Sequence, residues 1–372
     1  MKMIFYHPIP IKENGASASA IRPYKMLAAF RSLGIDVDEV TGYGRERKQK
    51  IQDIKNNIKK GIKYDFAYGE NTTLPFLLTE PSHYPLYPFL DYFFFKWLNE
   101  NKIPFGLFYR DIYWRFPEFR KGLSFYKWAT PLPFHYIDIF MIKKFITHLF
   151  LPSKRMADFL PGKNISATIS SLPSGSELFF NGIFSETINT IEFFYVGGVT
   201  PPNYDLSPMF DFFSNTQQNV HLNLCCREKE WLEIEKWKRY KKIPTKNITI
   251  YHYKGKELHA LWLKAHVFLA LWENVSYRNF AMPFKISEAI GYGVPIITTR
   301  NTAAGDFVKE NDFGWAIEPT PQALSNLIER LKANPNFIKN KKEKIVSKQK
   351  EHTWEARALK VISTLTAKAG NR

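Results

Sequence analysis

A lysine and a glutamate near the start of one predicted helix carry the strongest chemical signal in the sequence. Lys285 and Glu288 lie three residues apart within residues 282–299, so a helix would place both on one face. A helix N-terminus presents free backbone N–H groups and a positive dipole end, which favour a phosphate. Lys285 would add a point charge there, and Glu288 could accept both hydroxyls of a ribose. Gly291 and Gly293 allow a tight turn before the next strand.

The composition is that of a globular protein with a large positive charge. The 372 residues include 52 Lys and Arg against 35 Asp and Glu, a net charge of +17, and 16% of them are aromatic. Such a chain has three candidate partners, which are nucleic acid, an anionic membrane surface and a phosphorylated ligand. Cys225 and Cys226 are adjacent, so they cannot form a loop-closing disulfide, and a reducing cytoplasm is the expected location.

Neither a targeting segment nor a membrane span is predicted. The first residues are apolar over too few positions for a signal peptide. The richest apolar windows, residues 87–98 and 134–151, contain charged residues, whereas a span needs about 20 apolar positions. No cluster of Cys and His has the spacing of a zinc site. We therefore expect no metal and no bound cofactor, and a cytoplasmic protein that is at most peripheral at the membrane.

The first half of the chain reads as a β–loop–α–β unit followed by further strands. Residues 3–6 predict a strand, residues 14–19 a loop of small polar residues, residues 21–33 a helix ended by Gly34, and residues 37–41 a second strand. This order is typical of a parallel, doubly wound sheet. Three further strands are predicted, at residues 65–68, 105–109 and 149–151.

The pattern starts again after the polar stretch of residues 170–190. A strand at residues 191–196 leads into Gly197 and Gly198, and alternating strands and helices follow. The strands are predicted at residues 221–225, 248–251, 267–271 and 295–299, and the helices at residues 257–265 and 284–291. A turn is predicted at residues 313–314, and the tail from Thr320 is predicted to be helical. Two α/β domains of this kind would face each other across a ligand-binding cleft.

These motifs together resemble the GT-B glycosyltransferases. The similarity rests on residues 282–299, the Gly197-Gly198 turn and the Leu-Pro-Ser-Gly sequence at residues 172–175. It is greatest to the GT4-like enzymes of bacterial exopolysaccharide, capsule and lipopolysaccharide synthesis. The resemblance implies two Rossmann-like domains, with the acceptor held by residues 1–180 and the nucleotide sugar by residues 181–345. Residues 346–372 would form a C-terminal helix that packs back toward the first domain.

The resemblance also implies a set of donor-binding residues. Glu288 corresponds to the ribose-binding glutamate, but Phe280 stands where such enzymes carry another glutamate, and residues 199–205 lack the usual Arg and Lys. A cation must stabilise the leaving diphosphate, and we assign that role to Lys285 and Arg227, with Arg278 in reserve. The remaining residues expected to contact the nucleotide sugar are Gly15, Ala16, Ser17, Gly198, Tyr253 and Phe284.

The acceptor is expected to contact the run that follows the strand at residues 105–109. Arg110, Asp111, Tyr113 and Trp114 combine charged groups with aromatic faces that could stack on a sugar, and His83 lies in an earlier loop. A retaining enzyme needs no side-chain base, because the leaving phosphate can accept the proton. An inverting enzyme would need Asp111 or His83 as the base. The sequence leaves both stereochemical outcomes open.

Several of these residues have simpler structural interpretations. Lys285 and Glu288 could form only a surface ion pair, Asp111 could pair with Arg110 to hold a loop, and Arg227 could be a solvated surface charge. His83 fits a structural role better than a catalytic one.

The distribution of charge along the chain helps to choose among the three candidate partners. Residues 331–372 contain eleven Lys and Arg against three Asp and Glu, a net charge of +8.

A basic tail of this kind is better suited to anionic lipid than to a nucleotide. Nucleic acid is not expected as a partner, because no recognisable nucleic-acid-binding module is present. The leading hypothesis is a metal-independent hexosyltransferase that uses a nucleotide sugar, expected to be UDP-linked, and retains the anomeric configuration. Its acceptor would be a glycan or a lipid-linked glycan, and a homo-oligomer is allowed. The alternative is a non-catalytic subunit of the same fold that binds nucleotide and assists another glycosyltransferase.

Overall fold

In the computed structural model, two parallel β-sheets organise the chain. The structure describes residues 1–13, 15, 18–120, 123–162, 165–179, 189–201, 204–235 and 245–367. Residues Met1–Gly175 and Trp354–Arg372 form one compact unit, and residues Ser176–Thr353 form the other. The units change at 175/176 and 353/354, whereas the sequence placed domain boundaries at 180/181 and 345/346.

The sheet of the first unit has the strand order β2-β1-β3-β4-β5-β6, and every neighbouring pair is parallel. Its strands are β1 (Lys2–His7), β2 (Asp36–Thr41), β3 (Phe66–Glu70), β4 (Phe105–Phe108), β5 (His148–Leu151) and β6 (Thr168–Ser171). The order reverses between β1 and β3, so the helices that follow these two strands cover opposite faces of the sheet. In open α/β sheets, such a switch point leaves a crevice at the carboxyl ends of the strands.

Helices cover this sheet in the first unit. They are α1 (Ala18–Ser32), α2 (Gly44–Lys59), α3 (Leu90–Glu100), α4 (Pro117–Arg120), α5 (Phe125–Ala129) and α6 (Leu132–Phe145), and α14 (Trp354–Thr366) from the end of the chain joins them. Helix α14 contacts α1 and strands β3 and β4, all within the first unit. Aromatic side chains from both layers fill the core, as where Phe30 of α1 meets Tyr68 of β3 at 5.5 Å between ring centroids.

The sheet of the second unit has the order β12-β11-β10-β7-β8-β9 and is also parallel throughout. Its strands are β7 (Ile191–Val196), β8 (Val220–Cys225), β9 (Ile248–Tyr251), β10 (Val267–Ala270), β11 (Ile296–Thr299) and β12 (Gly314–Ile317). Its helices are α7 (Ser207–Asn215), α8 (Glu228–Glu235), α9 (Gly255–Lys264), α10 (Phe284–Gly291), α11 (Ala303–Asn311), α12 (Pro321–Ala333) and α13 (Asn336–Lys348). Here the switch point lies between β7 and β10.

The predicted α/β fold class is confirmed. Strands β1, β4, β7 and β10 are buried along nearly their whole length, which explains why they read as continuous apolar runs rather than alternating ones. The turn expected at residues 313–314 lies one residue earlier, at Asp312 and Phe313, and Gly314 begins β12, where it approaches the backbone of Ile296 too closely for any side chain. The four-residue strand β6 and the polar helix α2 lie outside the sequence prediction; β6 is too short to show a period, whereas Ile51, Ile54 and Ile58 of α2 do follow one another at helical spacing.

Candidate functional sites at the carboxyl edges of the two sheets

A buried ion pair marks the switch point of the first sheet. Glu70 is the last residue of β3, and its Oε1 lies 3.0 Å from Nε of Arg22 on α1. The two side chains are 0% and 2% exposed, and Tyr68 donates a second hydrogen bond to the same carboxylate oxygen at 2.8 Å. Glu70 Oε2 and Arg22 Nη2 have no further partner among the described residues. The pair therefore holds a charged, incompletely satisfied group inside the unit.

An aromatic ring and one further guanidinium lie near this pair. The Arg22 guanidinium carbon lies 3.5 Å from the centroid of the Phe108 ring at the end of β4, a cation–π contact. Arg357 on α14 is also buried, and burial together with the charge of Arg22 lowers its pKa to about 10. A sequence reading could not pair Arg22 with Glu70, because 48 residues separate them and neither belongs to a short motif.

A cavity of about 400 Å³ opens at this switch point. The loops after β1 and β3, the start of α1 and Arg110 supply its lining, which includes His7, Lys12, Thr73 and Tyr43. His7 ends β1 and shares a hydrogen bond of 2.9 Å between its Nδ1 and the backbone oxygen of Glu70. Burial lowers the pKa of His7 to about 4, so the ring is neutral at pH 7. The cavity thus combines a neutral imidazole, hydroxyls and a guanidinium.

Asp111 lies beside this cavity, as the sequence analysis required of an acceptor-side carboxylate. Thr73 donates to its Oδ2 at 3.3 Å, and the backbone N–H of Tyr113 donates to its Oδ1 at 3.4 Å. Burial raises its pKa to about 6, against the opposing charge of Arg110. The side-chain oxygen of Asn71 accepts from the backbone N–H of Arg110 at 2.8 Å and fixes the turn after β4. Asp111 is thus a carboxylate that can take up a proton close to neutral pH.

Arg110 lines the cavity, whereas Trp114, Tyr113 and His83 are not among its lining residues. Trp114 is buried and stacks on His135 with 4.8 Å between ring centroids, so its ring belongs to the packing of the first unit rather than to an open platform. Tyr113 is half-buried. His83 is exposed in the loop between β3 and α3, and its Nδ1 lies 3.2 Å from the backbone oxygen of Leu78.

The glycine turn of the second unit follows β7, at the switch point of its sheet. The backbone oxygen of Gly198 accepts a hydrogen bond from the Tyr195 hydroxyl, and the ring of Tyr204 packs so close that a Cβ on Gly198 would lie 2.7 Å from it. Burial raises the pKa of Tyr195, so it stays a donor. Aromatic side chains therefore pack against this turn on two sides.

Arg278 occupies an aromatic cage beside this turn. It lies in a 3₁₀ turn (Ser276–Asn279), is buried, and has its guanidinium carbon 4.2 Å from the centroid of the Trp272 ring and 5.2 Å from that of Tyr204. The Trp272 indole N–H donates in turn to the Tyr195 hydroxyl at 3.3 Å. Arg278 had only a reserve role in the sequence prediction, since one of the two rings that hold it, Tyr204, is distant in the chain.

Lys285 and Glu288 lie on the first turns of α10 with 2.5 Å between Nζ and Oε2. Both are half-buried, and burial raises the pKa of Glu288 against the opposing effect of Lys285. The charge of Lys285 in turn lowers the pKa of Cys225, at the end of β8, although burial of that thiol has the larger and opposite effect. The helix ends where Gly291 passes the backbone of residue Glu177, and a Cβ there would lie 2.1 Å from the Glu177 oxygen.

Arg227 lies just after β8 and is anchored by Glu230. Its Nη1 is 2.7 Å from Glu230 Oε1, while Glu230 Oε2 accepts from the backbone N–H of Val199 at 3.3 Å. One carboxylate thus ties Arg227 to the glycine turn after β7. The Arg227 side chain is 72% exposed, so its outer N–H groups face solvent.

The remaining donor-side candidates are placed as follows. Tyr253 follows β9, is exposed, and contacts Tyr251 with 4.9 Å between ring centroids. Phe284 begins α10 and is half-buried. Gly15 is described and packs against Ala20, whereas Ala16 and Ser17 lie outside the described residues. Among the described residues, no three His, Cys, Asp or Glu side chains are grouped as metal ligands.

The folding pattern defines a class of protein, since two parallel six-stranded sheets with these strand orders are the architecture of GT-B proteins. The structure resembles a glycosyltransferase from Rickettsia africae ESF-5, with 13% identity and a TM-score of 0.65 over 100% of this chain and 99% of the other. It also resembles Anabaena Alr3699/HepE in complex with UDP and glucose, with 13% identity and a TM-score of 0.61 over 98% and 99% of the two chains. A third similar structure is WaaG, a glycosyltransferase involved in lipopolysaccharide biosynthesis, with 13% identity and a TM-score of 0.55 over 98% and 100%.

A family match adds the chemistry that a fold alone does not carry. Residues 202–352, which lie within the second unit, match the family described as Glycosyl transferases group 1. By sequence, the chain has no match among curated proteins. Residues 202–352 thus carry the glycosyl transferases group 1 match, and the chain as a whole has the GT-B fold. The predicted family and the predicted class of enzyme are confirmed.

Proposed function

We propose that this glycosyltransferase transfers a hexose from a UDP-linked sugar to a glycan or lipid-linked glycan acceptor. The observation that carries the proposal is the Lys285–Glu288 pair on the first turns of α10, inside the family-matched residues. A lysine at a helix N-terminus suits a diphosphate, and a half-buried glutamate suits the hydroxyls of a ribose. That HepE was crystallised with UDP and glucose supports uridine as the base and a hexose as the sugar.

The leaving group would be stabilised by cationic side chains of the second unit. In transfer, the acceptor hydroxyl oxygen bonds to the anomeric carbon as the bond from that carbon to the diphosphate oxygen breaks. Negative charge then builds on the diphosphate. We propose that Lys285 stabilises this charge together with Arg227, whose N–H groups are exposed and whose position is fixed by Glu230. These two cations support the proposal that no metal ion is needed.

Acceptor binding is proposed for the cavity of the first unit. Its hydroxyls, its neutral His7 and the Arg110 guanidinium suit a polyhydroxylated ligand, and Asp111 lies beside them. We propose a retaining reaction in which the leaving phosphate accepts the proton of the acceptor hydroxyl. Asp111 would then orient the acceptor. If the product is inverted, Asp111 becomes the base, and turnover should rise with pH through its pKa of about 6.

A turnover assay with UDP-glucose, UDP-galactose and UDP-N-acetylglucosamine tests the proposal. Release of UDP on adding a lipopolysaccharide or polysaccharide acceptor, and nuclear magnetic resonance of the product anomer, would establish donor and stereochemistry. Absence of nucleotide binding and of turnover with every donor would refute it. Activity that persists in both Lys285→Ala and Glu288→Ala would refute the assigned site.

The second candidate is a non-catalytic partner of another glycosyltransferase. Phe280, at the position of the missing glutamate, is buried and packs against Tyr277 with 5.2 Å between ring centroids, so its side chain offers no hydrogen-bonding group to a sugar hydroxyl. Binding of UDP without turnover, with turnover restored only by a second protein, would favour this candidate. In either case we propose a cytoplasmic protein located at the inner face of the membrane, and a homo-oligomer stays a prediction.

A further inference from the structure

Helix α6 of the first unit is apolar on its outer side as well as its inner side. Its inner residues, among them Ile139 and Ile142, are buried against the sheet. Its outer side carries Tyr136, Ile137 and Phe140, which are 52%, 41% and 52% exposed and follow one another at helical spacing. A helix that is apolar all round is normally covered on every side. The described residues of the first unit do not cover this one.

Neighbouring elements extend the outer surface of α6. Phe89 and Phe93, at and just after the start of α3, contact each other with 6.1 Å between ring centroids, and both are exposed. Helix α5, which leads into α6, exposes Phe125 and Tyr126, the latter to 78%. We call this surface the aromatic face; it comprises Phe89, Phe93, Phe125, Tyr126, Tyr136, Ile137 and Phe140. Clustered exposed rings of this kind mark an interaction surface rather than ordinary solvent exposure.

Among the described side chains of residues 84–145, exposed lysines outnumber exposed acids. Lys144 on α6 places its Nζ 5.4 Å from the centroid of the Phe140 ring and 5.9 Å from that of Tyr92. Lys127 on α5 is exposed. Of the described acidic side chains between residues 84 and 145, Glu100 alone is exposed, and it pairs with Lys96 at 3.5 Å. The partner of this surface must therefore accept aromatic rings and carry negative charge.

We propose that the aromatic face docks the first unit on an anionic lipid bilayer. Phenylalanine and tyrosine rings would enter the interfacial region, where an aromatic body meets apolar chains and a polar tip meets water. Lys127 and Lys144 would reach headgroup phosphates while their methylene stems lie along the rings. Each lysine near an anionic surface adds up to about 1 kcal/mol, so rings and charges act together.

Two other arrangements fit the contacts less well. The basic tail is divided between the units, with α13 in the second and α14 in the first. Several of its lysines are already engaged in the fold, since Lys341 pairs with Asp312 and Lys360 donates to the backbone oxygen of Ser171. A second copy seated on the aromatic face would bring the same lysines against themselves, which costs energy by like-charge repulsion.

Vesicle co-sedimentation tests the proposal, with no donor or acceptor present, so the outcome is independent of the proposed reaction. The full-length protein should sediment with vesicles of equal parts phosphatidylcholine and phosphatidylglycerol, and more weakly with phosphatidylcholine alone. The double variant Phe93→Ser/Phe140→Ser should bind at least about tenfold more weakly, and Lys127→Glu/Lys144→Glu should lose the preference for anionic vesicles. The matched control is Lys339→Glu/Lys350→Glu, which makes the same charge change at exposed positions of the tail and should bind normally.

Each of three results would overturn the proposal. The first is a wild-type protein that stays in solution with anionic vesicles. The second is a tail variant that loses as much binding as the variants of the aromatic face. The third is a dimer, detected by sedimentation velocity, that Phe93→Ser/Phe140→Ser dissociates. The substituted side chains are exposed, so thermal melting should be unchanged, and turnover with a water-soluble acceptor should match the wild type.

Discussion

At the carboxyl edge of the first sheet, a buried ion pair stands beside a cavity, while at the corresponding edge of the second sheet aromatic rings fill the space. Arg22 and Glu70 are almost inaccessible, and the cavity next to them measures about 400 Å³. In the second unit, Tyr195, Tyr204 and Trp272 enclose the glycine turn and Arg278, and the cavity beside them measures about 10 Å³. The charged groups of that unit lie farther out, on α10 and after β8.

This difference shows how one folding pattern can serve two kinds of ligand. A cavity inside a unit can surround a sugar and form hydrogen bonds with its hydroxyls. The burial of charged groups beside it costs desolvation free energy. A filled switch point with charges at its rim leaves room only for groups that bind from outside, such as a diphosphate at a helix N-terminus. The comparison therefore supports acceptor binding in the first unit and donor binding at the rim of the second.

The largest expected effect comes from breaking the buried ion pair. Glu70→Gln leaves the Arg22 guanidinium buried without its counter-charge, which should lower the free energy of unfolding by about 3–5 kcal/mol. Urea denaturation measures the loss, and hydrogen exchange of β1 and β3 amides assigns it to the first unit. The control, Glu39→Gln, removes the exposed pair between Arg31 and Glu39 and should cost less than about 1 kcal/mol. Equal losses in both variants would contradict the contrast between buried and exposed charge.

The second effect concerns the rim of the second unit. Lys285→Ala should reduce kcat/KM for the nucleotide sugar by about 100-fold, because a cation facing the leaving diphosphate is removed. Melting temperature should change little, since the ion pair with Glu288 spans one turn at a half-buried surface. Lys264→Ala serves as the control, because its pair with Glu192 lies at the opposite edge of the same sheet. A similar loss of activity in both variants would refute the assignment of Lys285 on α10 to the donor site.

The third effect is a pH dependence in the first unit. Burial raises the pKa of Asp111 from 3.8 to about 6, so the unfolded chain loses this proton near pH 4 and the folded chain only near pH 6. Stability therefore falls as pH rises through this window and stays lower above it. Asp111→Asn should add roughly 2 kcal/mol at pH 7 and little at pH 4. The exposed Asp53→Asn should show neither change, and a gain for Asp111→Asn that is independent of pH would contradict the assignment.

The smallest expected effect lies at the exposed cation after β8. Arg227→Ala should lower kcat/KM for the donor by about tenfold, because an exposed guanidinium is screened by water and binds the diphosphate more weakly than Lys285. Its stability should be unchanged within about 0.5 kcal/mol. Glu230→Gln is a useful companion variant, because Glu230 contacts both the Arg227 guanidinium and the backbone N–H of Val199 and so fixes the position of Arg227. A larger loss for Arg227→Ala than for Lys285→Ala would reverse the assigned roles.

Local sequence patterns were sufficient for most elements of the fold. Runs of apolar residues predict β1, β7 and β10, and the spacing of apolar residues predicts α1 and α10. These patterns are visible because the apolar side chains of each segment are the ones that become buried. Local patterns have a limit: β6 has only four residues and shows no clear period, and α2 was not predicted although Ile51, Ile54 and Ile58 follow one another at helical spacing. The same limit applies to sites. Lys285 and Glu288 contact each other across one helical turn, which their spacing predicts. Trp114 was expected to stack on a sugar, but in the structure its ring is packed against His135.

By itself, the sequence determined that this protein has two α/β halves, a charged pair on one helix and a surplus of lysine and aromatic residues. Only the tertiary structure decided which distant residues meet. The Arg22–Glu70 pair, the cage around Arg278 and the aromatic face all depend on strand order and on helices packing side by side. Such contacts join segments far apart in the chain, so their geometry follows from long-range packing that no local pattern encodes.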